Sequence, residues 1–162
     1  MADLEIPWQA QTKDPWDPLA TILSLEIKLN GKTETVTAVL DPGADFTVLQ
    51  PTFLKRFAVD EDACGYLEAG VDADGNVTET VPLAIATASF AGHTFPMPVQ
   101  FDKELIRPCL IGRSGFQEYF RIEFDPQAAA TRFTWNGESP KSTLAEVRKL
   151  IDSRIGKRPK KP

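Results

Sequence analysis

Val39-Leu40-Asp41-Pro42-Gly43-Ala44-Asp45-Phe46-Thr47-Val48-Leu49 sets one carboxylate on a tight Pro-Gly turn between two apolar runs. Apolar residues on both sides predict strands seated in a β core, so Asp41 is expected at the edge of a rigid scaffold. Upstream, Leu23, Leu25, Ile27 and Leu29 alternate with Ser24, Glu26 and Lys28, the period of a half-buried strand. Asn30-Gly31 then signals a two-residue hairpin, and a β-branched return strand over residues 33–40 runs straight into Asp41. Downstream, residues 46–49 form a short strand stopped by Pro51, and residues 52–58 a helical turn or loop.

The same alternation continues. Residues 66–73 and 77–90 read as strands around Asp74-Gly75, and Ala91-Gly92-His93 turns the chain into a strand over 95–101. Leu110-Ile111 reads as buried, residues 112–119 as a short helix, and 121–124 and 131–135 as closing strands around Asp125-Pro126. The tail changes period. Thr143-Leu144-Ala145-Glu146 fits a capping box, and Leu144, Val147, Ile151 and Ile155 share one helical face. Pro7, Pro15 and Pro18 oppose helix near the start, while Trp8 and Trp16 imply that this arm docks on its own core or on a partner subunit. The expected organisation is an extended arm over residues 1–20, an all-β domain over 21–137, and a C-terminal amphipathic helix with a basic tail over 138–162.

Composition bounds the function. A chain of 162 residues with 42% hydrophobic side chains can bury a proper core, and no apolar run approaches the roughly 18 residues of a membrane span. The acidic start, Met1-Ala2-Asp3-Leu4-Glu5, has no signal-peptide core, so a cytoplasmic location is expected, with Cys64 and Cys109 as reduced, buried thiols. Residues 141–162 carry a net charge of +6 and the rest a net of −11. An acidic body repels nucleic acid, and the basic end reads as a solvated terminus. One His and two distant Cys give no zinc site, and Asp72-Ala73-Asp74-Gly75-Asn76 has its Gly in the wrong place for a calcium loop. Neither a metal nor an organic cofactor is expected.

The Asp41 stretch resembles the active-site loop of retropepsin-like aspartic proteases, in which Asp, then Thr or Ser, then Gly follow an apolar strand. Cys109-Leu110-Ile111-Gly112-Arg113-Ser114 is similar to the apolar-apolar-Gly-Arg segment packed beneath that loop. The resemblance covers about residues 22–135 in consistent order. It implies a closed β-barrel or sandwich with a flap hairpin, one short helix after Gly112 and an added C-terminal helix. It further implies Asp41 as the catalytic carboxylate in a loop formed with Pro42, Gly43 and Ala44. Substrate contacts would fall to Asp45, Phe46, Gly70, Val71 and Ile111, with Gly112 and Arg113 as structural support and an Asp45–Arg113 pair bracing the loop. One Asp per chain implies a homodimer that shares its site across a two-fold axis and cleaves a peptide or protein substrate. Pro42 departs from the family, because it supplies neither the hydroxyl nor the N–H expected there. Two readings therefore stand: an aspartic endopeptidase, or a dimeric interaction module that keeps the cleft without the chemistry.

Overall fold

The computed structural model describes residues 3–11, 13, 19–137 and 141–157. The arm contributes β1 (Leu4–Pro7), β2 (Gln9–Ala10) and β3 (Leu19–Ala20). The next strands are β4 (Ile22–Leu29), β5 (Lys32–Leu40) and β6 (Thr47–Leu49), followed by helix α1 (Thr52–Arg56). A long hairpin follows from β7 (Gly65–Val71) and β8 (Val77–Phe90), then β9 (His93–Phe101) and β10 (Cys109–Ile111). The chain ends in β11 (Phe120–Asp125), β12 (Ala130–Trp135) and helix α2 (Lys141–Arg154).

The alternation in β4 is realised: Leu23, Leu25 and Ile27 are buried, while Ser24, Glu26 and Lys28 face solvent. Asn30 and Gly31 both take positive φ, at 50° and 74°, so the turn matches the right-handed twist of the strands it joins. The strands run in the order β4-β5-β10-β6-β9-β8, and pairing of β4 with β8 closes them into a barrel of six strands. β10 lies between β5, to which it is parallel, and β6, to which it is antiparallel.

A second sheet, ordered β1-β12-β11, covers one end. Phe90 and Phe95 from the barrel meet Phe116, Phe120 and Phe133 at ring separations of 5.2–5.8 Å, and this aromatic cluster joins the two sheets. The arm docks on its own chain. Leu4, Ile6 and Trp8 turn their half-buried sides inward, and the Trp8 indole donates to Thr131 Oγ1 at 2.8 Å. Thr131 Oγ1 lies 2.6 Å from Thr21 Oγ1, a fully enclosed hydroxyl pair between arm, barrel and terminal sheet. Pro15, Trp16 and Pro18 lie outside the described residues.

The structure corrects several sequence expectations. The helix expected over residues 112–119 contracts to a single 3-10 turn, Gln117–Tyr119. Gly115 takes a φ of +78° against the backbone of Met97 and Pro98, which no right-handed helix accommodates. Helix α2 begins at Lys141, so Thr143 lies within its first turn rather than at its cap. Its apolar stripe packs on β7 through Val147 and Ile151, with Gly65 so close that a Cβ there would stand 2.8 Å from Ile151 Cα. Ile155, just past the helix end, stays about half exposed. Arg158, Lys160 and Lys161 of the basic tail lie outside the described residues.

Candidate functional site

β5 delivers Asp41 to the end of the barrel, where the Asp41 N–H donates to the Ile111 carbonyl at 2.9 Å. The turn that follows closes on the carboxylate itself. Gly43 N–H donates to Asp41 Oδ1 at 2.8 Å, and Ala44 N–H donates to the Asp41 carbonyl at 3.2 Å. A Cβ on Gly43 would stand 3.2 Å from Asp41 Oδ1, so glycine lets the main chain approach the carboxylate. Pro42 is exposed at the crest of this turn and has no N–H to offer.

The loop rests on the segment after β10. Arg113 N–H donates to the Ala44 carbonyl at 2.9 Å and Ser114 N–H to the Asp45 carbonyl at 2.8 Å. Gly112 is pressed against Phe46, where a Cβ would fall 2.3 Å from both the carbonyl carbon and oxygen. Thr47, fully buried, accepts from Gly112 N–H at 3.4 Å and donates towards Met97 Sδ at 3.5 Å. Arg113 and Asp45 do form an ion pair at 2.5 Å, but both side chains are more than half exposed. Gln117 adds a side-chain tie, its amide donating to the Asp41 carbonyl at 3.2 Å and the Ile111 carbonyl at 3.4 Å.

Asp41 is half-buried and lines a cleft of about 730 Å³ together with Trp8, Val39, Ile106, Leu110 and Phe124. Leu110 sits opposite Val39 in the β5–β10 register, and both turn to the cleft. Ile111, the expected lining residue, faces the other way and is completely buried. Successive strand residues face opposite sides, so the cleft contact falls one position earlier than the sequence suggested. Ile106 is 94% exposed at the cleft rim, and its loop is tied down by the Gln50 amide, which donates to the Leu105 and Ile106 carbonyls at 3.2 Å each.

Gly70 and Val71 do not line this cleft in the single chain. They lie at the outer end of the β7–β8 hairpin, where the pairing register slips at Gly70 and Val71 is 61% exposed. The hairpin tip is organised by Asp72, whose Oδ1 accepts from the N–H groups of Asp74 and Asn76. Hydrogen bonding from Asn76, first from its main chain and then from its side chain, holds this carboxyl below its ordinary 3.8. Cys109, at the start of β10 opposite Leu49, is fully buried, and that burial pushes its thiol up to about 12, so it is neutral and no nucleophile. Among the described residues, no cluster of three or more His, Cys, Asp or Glu side chains has the geometry to hold a metal ion.

Gln117 and Ile106 escaped the sequence reading, while Leu110 was read as buried and Phe124 as a strand residue, neither as lining the cleft. Only Thr47 left a signal there, as a polar residue inside an apolar strand.

Comparison with known proteins places this geometry. A family model described as aspartyl protease matches residues 25–114. No curated protein matches the sequence. Among solved structures, a retropepsin-like aspartic protease from Rickettsia conorii is 15% identical, with 81% of this chain and 91% of that one covered and a TM-score of 0.54. The retroviral protease-like domain of Ddi1 from Leishmania major is 15% identical, with 74% and 96% covered and a TM-score of 0.41. EIAV protease in complex with the inhibitor HBY-793 is 18% identical, with 63% and 88% covered and a TM-score of 0.38. The first of these likenesses shows the retropepsin-like fold.

Proposed function

Because this chain belongs to the aspartyl protease family, we propose that it is an aspartic endopeptidase whose site is completed when the Asp41 loops of two copies meet on a two-fold axis. The observation that carries this is the placement of Asp41: a half-buried carboxylate, its loop fixed by main-chain bonds, on the wall of an apolar cleft. One carboxylate alone cannot act as acid and base together. Two carboxylates about 4 Å apart repel by roughly 4 kcal/mol at an effective dielectric of 20, enough to keep one proton between them at mildly acidic pH. The ionised member then takes a proton from the attacking water while the protonated member polarises the scissile carbonyl.

The substrate would lie extended, its side chains against Leu110, Val39 and Ile106, with main-chain pairing to exposed strand edges. Asp45 and Phe46 would contact the substrate from the loop, and Gly70 and Val71 would close over it as the tip of a flap. Gly112 and Arg113 would support the loop from below. No helix among the described residues is long and apolar enough to cross a membrane.

Pro42 favours the second reading, a dimeric module that holds peptides without cutting them. Without the hydroxyl and N–H of a Thr or Ser, the dimer loses hydrogen bonds worth about 1 kcal/mol each, which loosens the dyad without undoing the fold. Peptide cleavage measured from pH 4 to 7, wild type beside Asp41→Asn, separates the two. The protease reading requires activity that disappears in the variant; equal residual rates in both would retire it.

A further inference from the structure

We propose that Arg154, at the end of helix α2, is a positioning residue that fixes where the β7–β8 hairpin bends, and so how far its outer half opens over the Asp41 cleft. The proposal rests on the flap reading of that hairpin given above. Arg154 itself lies well beyond residues 25–114, the span that matches the family model.

The strand order leaves β7 at the outer end of its sheet, where among the described residues it pairs with β8 alone. An edge strand presents main-chain groups along its free side. The carbonyl of Tyr66 is one of them, because its partner in the register is Pro82, which has no N–H to send across the ladder. That carbonyl instead accepts from Arg154 Nη1 at 2.8 Å. The same guanidinium lies 4.8 Å from the centre of the Tyr66 ring, and its Nη2 stands 3.7 Å from Glu68 Oε1. A planar, forked cation can serve a carbonyl, a ring face and a carboxylate from one position. The Arg154 side chain is only 24% exposed, so water competes weakly for these contacts.

Val147, Ile151 and Arg154 stand at i, i+4 and i+7, on one face of α2. Val147 is buried, Ile151 is pressed on Gly65, and Arg154 prolongs the apolar stripe as a charge aimed at β7. The grip falls at a boundary in the hairpin. Gly65, Tyr66 and Leu67 are buried or half-buried and pair in regular register with Leu83, Pro82 and Val81. The register first slips between Glu68 and Gly70, and from Glu68 to Asn76 every residue except Gly70 is exposed. Such a slip interrupts the ladder and bends the strand. Arg154 therefore holds the last regular pairs before the bend. The inner half of β7 is fixed to α2, and the outer half, with Gly70, Val71 and the Asp72 tip, has few buried contacts to oppose its opening.

Hydrogen exchange on the full chain, read by mass spectrometry, tests this by comparing residues 66–78 with strands β4 and β5. Arg154→Ala should raise exchange over 66–78 about tenfold, the scale of one hydrogen bond from a charged group, and leave β4 and β5 as in wild type. Arg148→Ala removes the same charge from an exposed position of the same helix and should leave both regions unchanged. Unchanged exchange over 66–78 in Arg154→Ala would overturn the proposal. So would an equal rise in β4 and β5, which is what a helix merely covering a sheet edge predicts, or the same rise in Arg148→Ala. Peptide hydrolysis gives a second readout. A hairpin that closes less firmly weakens the hold on substrate and transition state alike, so KM should rise about threefold or more while kcat stays near wild type. Faster hairpin exchange with KM unmoved would cut the link between Arg154 and the Asp41 cleft. A wild type that cuts no peptide would retire the protease reading, whereas the exchange result decides the grip of Arg154 without any cleavage, so the two failures are told apart.

Discussion

Replacing Gly112 with alanine asks what holds the Asp41 loop in place. Two braces are present: the Asp45–Arg113 ion pair and the main-chain seam between residues 44–46 and 112–114. The ion pair joins side chains that are 74% and 58% exposed, and exposed pairs contribute about 0.2–1 kcal/mol. The seam holds two main-chain hydrogen bonds, Arg113 to Ala44 and Ser114 to Asp45, and a glycine with no room for a methyl. A Cβ at residue 112 would meet the Phe46 carbonyl at 2.3 Å, and no flexible side chain is there to yield. The two segments must separate by roughly an ångström to reach ordinary contact, an overpacking that costs about 1–3 kcal/mol. Weakening both hydrogen bonds adds about 1 kcal/mol each. The expected loss of about 3–5 kcal/mol corresponds to a fall in Tm of roughly 6–20 °C for a chain of this size. Thermal unfolding followed by circular dichroism would measure it, with Asp45→Asn alongside, expected within about 1 kcal/mol of wild type. A Gly112→Ala protein melting within about 2 °C of wild type would refute the main-chain account of the loop.

Three further outcomes are expected. Asp72 is held below its ordinary 3.8 by hydrogen bonds from Asn76, so its contribution to the hairpin tip is present above that pH and fades as pH falls through the lower folded value; an Asn76 amide resonance titrating at or above 3.8 would contradict it. Cys109, with its thiol raised to about 12, should resist iodoacetamide at pH 8 until the chain unfolds. That burial also favours the folded state below the thiol's ordinary 9.0 and loses its advantage as pH climbs from there towards 12. Restoring a hydroxyl with Pro42→Thr should raise dimer affinity or peptidase rate about fivefold or more, one gained hydrogen bond at about 1 kcal/mol; unchanged association and rate would clear Pro42 as the handicap.

Much of the barrel was legible because its signals are local. The alternation from Leu23 to Leu29 and the Asn30-Gly31 turn need no distant partner to declare themselves. What was not legible depends on partners far along the chain. Nothing near Leu4–Pro7 announces that it will pair with Ala130–Trp135, or that β4 will meet β8 and seal the barrel. The site followed the same division. Asp41 and Gly43 were readable from the turn they make, and Gly112 and Arg113 from their similarity to a family segment. The sides of Leu110 and Ile111 were not, because a three-residue strand of apolar residues carries no alternation to read. Gln117 was missed because its reach to Asp41 depends on Gly115 turning the chain away from a helix.

The insertion of β10 between β5 and β6 has a consequence for how the molecule is made. The N–H of Asp41 has no carbonyl to bind until Ile111 has been synthesised and threaded into its slot. Chains emerge amino end first, at about 5–20 residues per second, so the turn bearing the carboxylate waits for several seconds without its floor. Truncated or stalled chains ending before Cys109 therefore leave two strands with bare facing edges, an invitation to aggregation that the finished protein has closed.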